Sequence, residues 1–237
     1  MRFFENPTKA LELFNFQGFH IEPRLIPQVR CEALISAAMT MPTALDGSFS
    51  PIAMPHRAHP EFLGIIKYIP MVNIVEKLVD GHAAGIGGEF FFMPPGTPGF
   101  TLHQDNHYIQ ATPPDAFISA WIALCDVDED NGCLIFFPGS HKLGELPTRE
   151  GDNLVTPSQN PGARQKECVL PEEMSSKKMV LQKGDVVFFH SLLAHKSVSN
   201  CSPHKSRYSQ VITYIKSGTP FRRGGRQQRE EIALYDH

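Results

Sequence analysis

His103, Gln104 and Asp105 form a His-x-Asp tripeptide. In an extended strand, residues i and i+2 point to the same face, so this imidazole and carboxylate would converge as adjacent ligands on one metal ion. His195, 90 residues after Asp105, is a candidate third ligand. Two histidines and one carboxylate suit iron(II) held on one face, with the remaining positions open for substrate chemistry. The tripeptide alone carries little weight. In a chain with 11 histidines and 10 aspartates, chance supplies roughly 0.5 of them. Context adds more: Lys183-Gly184-Asp185 is a turn signal, Val186 to Phe189 reads as an apolar strand, and His195 follows it.

Arg207 opens another apolar strand, a fitting place for an inward-facing guanidinium. A buried arginine needs an anion, and its planar fork suits a carboxylate held by two hydrogen bonds. Ser197 is a candidate second donor to the same carboxylate. His107 lies two residues beyond Asp105 and would face the same cavity if the strand persists, with Asn106 beside it. Glu89, in the preceding strand, is placed to meet a cationic group. Arg57 lies in a proline-rich loop with His56 and His59. These residues suggest a polar pocket for a small zwitterionic or anionic metabolite, although each taken singly is more often a satisfied polar group.

The elements that must position these groups change character along the chain. The first 80 residues read as mostly helical: Lys9 to Phe14, Pro27 to Met39 and Pro70 to Val79 space their apolar residues at helical intervals. Thr40 to Pro60 is too rich in proline and glycine for an element and reads as a loop. From Gly87 the pattern turns to short strands, at Glu89 to Met93, Phe117 to Leu124, Cys133 to Phe137, Met179 to Leu181, Val186 to Phe189 and Tyr208 to Ile215. Aromatic and β-branched runs punctuated by Gly and Pro predict a β-sandwich or barrel. A long polar loop spans 141–177, and a polar, basic tail from Arg222 onward reads as solvated. The N-terminal helices and the 141–177 loop are the candidate covers of the pocket.

With 237 residues, 41% hydrophobic and 20% charged, the chain can bury one sizeable core. The expected organisation is a single domain over 1–237: a helical flank at 1–86, a β core at 87–217 and a tail at 218–237. A net charge of −3 disfavours a globally basic nucleic-acid binder. No run approaches the roughly 20 apolar residues of a membrane helix. Five scattered cysteines without a CxxC point to free thiols in a reducing compartment. The Met1-Arg2-Phe3-Phe4-Glu5-Asn6-Pro7 start is not a secretory signal, so a cytoplasmic monomer or homodimer is expected.

From Phe16-Gln17-Gly18-Phe19 to about Ile215, the chain resembles the phytanoyl-CoA dioxygenase family of iron(II)- and 2-oxoglutarate-dependent oxygenases. The resemblance rests on His103-Gln104-Asp105, Trp121-Ile122-Ala123-Leu124, Asn131-Gly132-Cys133-Leu134, Pro138-Gly139-Ser140-His141-Lys142, Gly184-Asp185, His195-Lys196-Ser197 and Arg207, in that order. It implies a mainly β fold, a double-stranded β-helix (a cupin-like jelly roll) with flanking α-helices. It also implies iron at His103, Asp105 and His195, the distal carboxylate of 2-oxoglutarate at Arg207 and Ser197, and Trp121 lining the cosubstrate pocket. Oxidative decarboxylation with dioxygen would yield succinate and carbon dioxide, and hydroxylate an unactivated C–H bond of an amino-acid derivative, phosphonate or natural-product intermediate. Halogenating relatives have a small residue where Asp105 stands, which favours hydroxylation here. The same chemistry on a lipid or acyl substrate, a non-catalytic jelly-roll binding module, a zinc hydrolase, and an interaction protein using the basic tail are the alternatives.

Overall fold

A computed structural model describes residues 1–150 and 166–235. Among these the helices are α1 (Pro7–Gln17), α2 (Gln28–Met39), α3 (Pro42–Leu45), α4 (Pro60–Ile66), α5 (Ile69–Leu78) and α6 (Asn106–Ile109). The strands are β1 (Phe19–Glu22), β2 (Ile52–Ala53), β3 (Ala83–Met93), β4 (Phe117–Ala123), β5 (Leu134–Phe136), β6 (Thr148–Glu150), β7 (Lys166–Cys168), β8 (Lys177–Met179), β9 (Val186–His190), β10 (His195–Ser197) and β11 (Arg207–Lys216).

Local chemistry explains where the first helix starts and stops. The Asn6 side chain accepts the Lys9 amide at 3.1 Å, and Pro7 occupies the first turn, where a missing N–H costs nothing. Gly18 ends the helix at φ 88°, a left-handed conformation that costs glycine little. In α5 the buried face is Met71, Val72, Ile74 and Val75.

Six strands make a large antiparallel sheet in the order β1-β9-β4-β11-β3-β2, and a smaller sheet runs β10-β5-β8. Side chains alternate across a strand, so each strand of the large sheet serves two compartments. Phe90, Phe92, Ile118, Ile122, Val186, Phe188 and Ile212 pack against the N-terminal helices. Trp121, Val187 and Phe189 point the other way and pack on Leu134, Phe136 and Met179 of the small sheet. Two sheets face to face with helices backing the larger one constitute the expected jelly roll. Each buried phenylalanine contributes about 1.5–3 kcal/mol of transfer free energy.

Several sequence expectations need correction. The N-terminal region holds two sheet strands as well as helices: β1 edges the large sheet beside β9, and β2 pairs with β3. The 40–60 segment is broken into α3, β2 and a 3-10 turn instead of forming one loop. β3 begins at Ala83, earlier than the apolar run suggests, because its first half is glycine-rich and glycine is a poor strand signal. The glycines are there for space: a Cβ on Gly88 would stand 2.5 Å from the Val211 carbonyl of β11. β6 and β7 pair within the 141–177 loop, whose residues 151–165 lie outside the described residues. The N-terminal helices back the far face of the large sheet, so they do not cover the pocket.

Candidate metal centre

His103 and His195 are tied by a two-way backbone bridge. Each amide donates to the other's carbonyl at 2.9 Å. The imidazole centroids lie 4.2 Å apart. Each Nδ1 sits against a carbonyl two residues upstream, Thr101 O at 2.7 Å and Leu193 O at 2.9 Å. A carbonyl only accepts, so each Nδ1 carries the proton and each Nε2 presents a lone pair. Asp105 Oδ1 lies 3.4 Å from His103 Nε2 and 3.6 Å from His195 Nε2. The Ser119 hydroxyl of β4 donates to the other oxygen, Oδ2. The three ligand atoms fall within 4.8 Å of one another. Two imidazoles and a carboxylate, oriented by outer hydrogen bonds, form a donor set that fits a divalent transition metal.

The electrostatics agree with that protonation pattern. Burial pushes the Asp105 carboxyl up, but the two imidazoles and the Ser119 hydroxyl outweigh it and bring it down to about 2. Burial, reinforced by His103, lowers His195 to about 4. At neutral pH the carboxylate is ionised and His195 is neutral.

The convergence does not come from an extended strand. Asp105 has φ −63° and ψ −32° and leads into α6. The chain bends because Gln104 is anchored on the opposite side: its Nε2 donates to Gly144 O (2.9 Å) and Leu192 O (2.7 Å), and its Oε1 accepts Leu146 N (2.9 Å). This buried glutamine is a residue that the sequence reading missed. Because the strand ends, His107 does not line the cavity; it packs on the Tyr108 ring, and Tyr108 lines it instead. Asn106 is also outside the lining. Its amide is spent on Ala111 O, Ala111 N and Glu145. Arg57 lies outside too, donating to the carbonyls of Gln227 (2.7 Å) and Gln228 (2.8 Å).

Arg207, Ser197 and Trp121 share one cavity of about 610 Å³ with the histidines and Asp105. Arg207 is only 2% exposed. One of its nitrogens, Nη1, donates to Gly132 O, and its Nε has no partner among the described residues. Its guanidinium lies 5.5 Å from the Trp121 ring centroid. Burial lowers its pKa to about 10, so it remains charged at neutral pH. A buried charge without a counter-ion is costly, so this geometry calls for an anionic ligand. Ser197 Oγ accepts the Phe100 amide at 2.9 Å, which leaves its proton free to donate.

Glu89 also lines this cavity. Burial raises its carboxyl to about 7, against the opposing pull of Arg229. The expected solvated tail holds only in part: Arg222 and Arg226 are exposed, but with half-buried Arg229 they line the same cavity, and Leu234 is buried in the helix-side core. Among the described residues, the 141–177 loop contributes nothing to the lining.

Comparison with known proteins adds a family and a fold. The profile described as "Phytanoyl-CoA dioxygenase (PhyH)" matches residues 43–209. Peroxisomal phytanoyl-CoA dioxygenase of Homo sapiens is 36% identical over 102 residues, 42% of this chain and 28% of that protein. Phytanoyl-CoA dioxygenase of Arabidopsis thaliana is 36% identical over 132 residues, 54% of this chain and 43% of that protein. The matches thus span less than half of these relatives. Among solved structures, the non-heme alpha ketoglutarate dependent carbocyclase SnoK from nogalamycin biosynthesis superposes with TM-score 0.77 at 19% identity, covering 95% of this chain and 90% of that one. EvdO2 from Micromonospora carbonacea var. aurantiaca, complexed with 2-oxoglutarate, superposes with TM-score 0.71 at 18% identity, covering 89% and 91%.

Proposed function

The chain belongs to the phytanoyl-CoA dioxygenase family, and on that premise we propose that it is an iron(II)- and 2-oxoglutarate-dependent oxygenase. It hydroxylates an unactivated C–H bond of a small polar metabolite and releases succinate and carbon dioxide. The observation that supports this reading most is the pairing, in one cavity, of a His-Asp-His donor set with a buried guanidinium that has no counter-ion among the described residues.

His103, Asp105 and His195 would hold the iron through Nε2, a carboxylate oxygen and Nε2. Ser119 and the carbonyls of Thr101 and Leu193 fix the orientation of those three side chains. Arg207 and Ser197 would take the distal carboxylate of 2-oxoglutarate, with the Trp121 ring beside the guanidinium. Bound iron, 2-oxoglutarate and dioxygen together supply the oxidising power for C–H hydroxylation. Phe91, Phe100, Phe117 and Val211 give the cavity apolar walls. The Ser197 hydroxyl and Arg207 find no task in a zinc hydrolase, which disfavours that alternative. Among the described residues no helix is long and apolar enough to cross a membrane.

The test is the visible spectrum of the apo protein mixed anaerobically with iron(II) and 2-oxoglutarate. A weak charge-transfer band that requires both components is expected, and its loss in His103→Ala and His195→Ala. Confirmed iron binding without the band would sink the cosubstrate assignment. Succinate release over a panel of small polar compounds and acyl-CoA esters then separates the metabolite reading from a lipid one.

A further inference from the structure

The segment after β11 forms a strap anchored at both ends. At its start, Arg222 N donates to Ile109 O at 2.7 Å. At its end, Ile232 N donates to Gly85 O at 2.7 Å, Gly85 N returns a bond at 3.1 Å, and Leu234 is buried. Between the anchors the loop is held internally by Arg229 N to Arg223 O (2.8 Å) and Arg223 Nε to Arg229 O (3.0 Å). From outside, Arg57 clamps it by donating to the Gln227 and Gln228 carbonyls. Arg222, Arg226 and Arg229 line the mouth of the cavity, the first two exposed and Arg229 half-buried, whereas Arg223 turns away toward Glu230. Among the described residues, no acidic side chain lies within ion-pair distance of Arg222, Arg226 or Arg229.

The strap and Arg207 serve different ends of the cavity. Arg207 is opposite Met93 across β3 and β11, Glu89 is opposite Val211, and Gly85 is the residue that meets Ile232 of the strap. Each four-residue step along a strand is about 13 Å, so the strap's anchor on β3 lies well beyond the reach of the carboxylate that Arg207 would hold. Asp105 is bonded to Ser119, which pairs with Thr213, and Thr213 pairs in turn with Gly87, two residues from Gly85 on β3. The metal centre therefore faces the strap end. Three guanidinium groups against the carboxyl groups of Glu89 and Asp105 leave that end cationic.

We propose that the 222–229 strap selects the substrate: Arg222, Arg226 and Arg229 bind a carboxylate, phosphate or phosphonate group on it, separate from the 2-oxoglutarate carboxylate at Arg207. The inference rests on the oxygenase reading for the position of the oxidised carbon, which lies between this anionic group and the metal. The commoner fate of surface arginines is to be solvated. What sets these three apart is a shared cavity wall and a dedicated clamp.

The experiment titrates the full chain with three probes of similar size: propylphosphonate, butyrate and butyramide. Calorimetry is run on the metal-free protein and on protein loaded with iron(II) and 2-oxoglutarate under anaerobic conditions. The expected result is that at least one anion binds about ten-fold or more tightly than butyramide, consistent with charge-assisted hydrogen bonds. That preference weakens with salt and collapses in Arg222→Gln/Arg226→Gln, while Arg226→Lys retains part of it. Whichever anion binds tighter names the group. The inference is overturned if none of the probes binds, if butyramide binds as well as the anions, if the double variant keeps the preference, or if Arg207→Gln alone abolishes it. The charge-transfer band reports the cofactor reading separately. Anion selectivity without the band leaves the strap standing and removes the oxygenase; the band without anion selectivity does the reverse.

Discussion

Each imidazole of the candidate metal centre has one nitrogen committed to a backbone carbonyl, so the free nitrogen is predetermined. Ser119 does the same for Asp105. Ser119→Ala leaves the ligands in place but lets the carboxylate rotate; iron affinity is expected to fall about 10–100-fold, measured by anaerobic titration. Arg207→Gln removes the buried charge, and the apparent KM for 2-oxoglutarate should rise about 10–100-fold, while the affinity for iron alone stays within a factor of a few. Spacing and family resemblance made His103, Asp105, His195, Arg207, Ser197 and Trp121 legible as a group, and the structure brings all six to one cavity. Gln104 and Ser119 were not legible. Their partners are a carbonyl, an amide or a side chain far along the chain, and no local spacing encodes such bonds. His107 lies outside the cavity because the strand that would have carried it there gives way at Asp105 to a helical turn, and Asn106, adjacent in sequence, spends its amide within that turn and on Glu145.

At the scale of elements, alternation decides function. Gly99 packs against the Ser197 carbonyl so closely that no Cβ fits without moving the backbone. Gly99→Ala is therefore expected to displace β10, costing about 1–3 kcal/mol in denaturant unfolding and weakening 2-oxoglutarate binding through Ser197. His190 ends β9 against Phe14 of α1 and His141. Its Nδ1 accepts the Leu192 amide at 3.1 Å, an interaction available only to an unprotonated nitrogen. Burial and His141 lower its pKa from 6.5 to about 4, with Asp115 opposing. Above pH 6.5 both folded and unfolded states are neutral at this residue. Between 6.5 and about 4 only the unfolded state takes up the proton, so stability falls as the pH falls through that window. The loss is on the order of 3 kcal/mol, and His190→Asn should flatten this part of the stability–pH curve. The strands of β4, β9 and β11 were readable because their apolar runs are dense. The first half of β3 was hidden by glycines, and β1 and β2 by their shortness.

At the scale of the whole molecule, the helices, the large sheet and the final segment share one core, since Leu234 belongs to the same buried cluster as Phe62, Val72 and Phe90. The tail was illegible because its composition is that of a solvated segment; the Arg222–Ile109 hydrogen bond, the Gly85–Ile232 bridge and the Arg57 clamp reveal its place. A ligand that binds only the folded state raises the melting temperature. Iron(II) with 2-oxoglutarate should do so for the wild-type protein, a chelator should reverse it, and His195→Ala should show neither effect by calorimetric scanning. The large sheet carries a longer consequence. On β3, Phe90 and Phe92 belong to the helix-side core, whereas Glu89 and Phe91 line the cavity; on β11, Ile212 and Val211 divide in the same way. Heritable variation in the cavity set changes what the site accepts while leaving the residues that specify the fold untouched. A combinatorial library confined to Glu89, Phe91, Val211 and Thr213 would therefore diversify chemistry at small cost to foldability, and a one-residue deletion within β11 would exchange the two sets at a stroke.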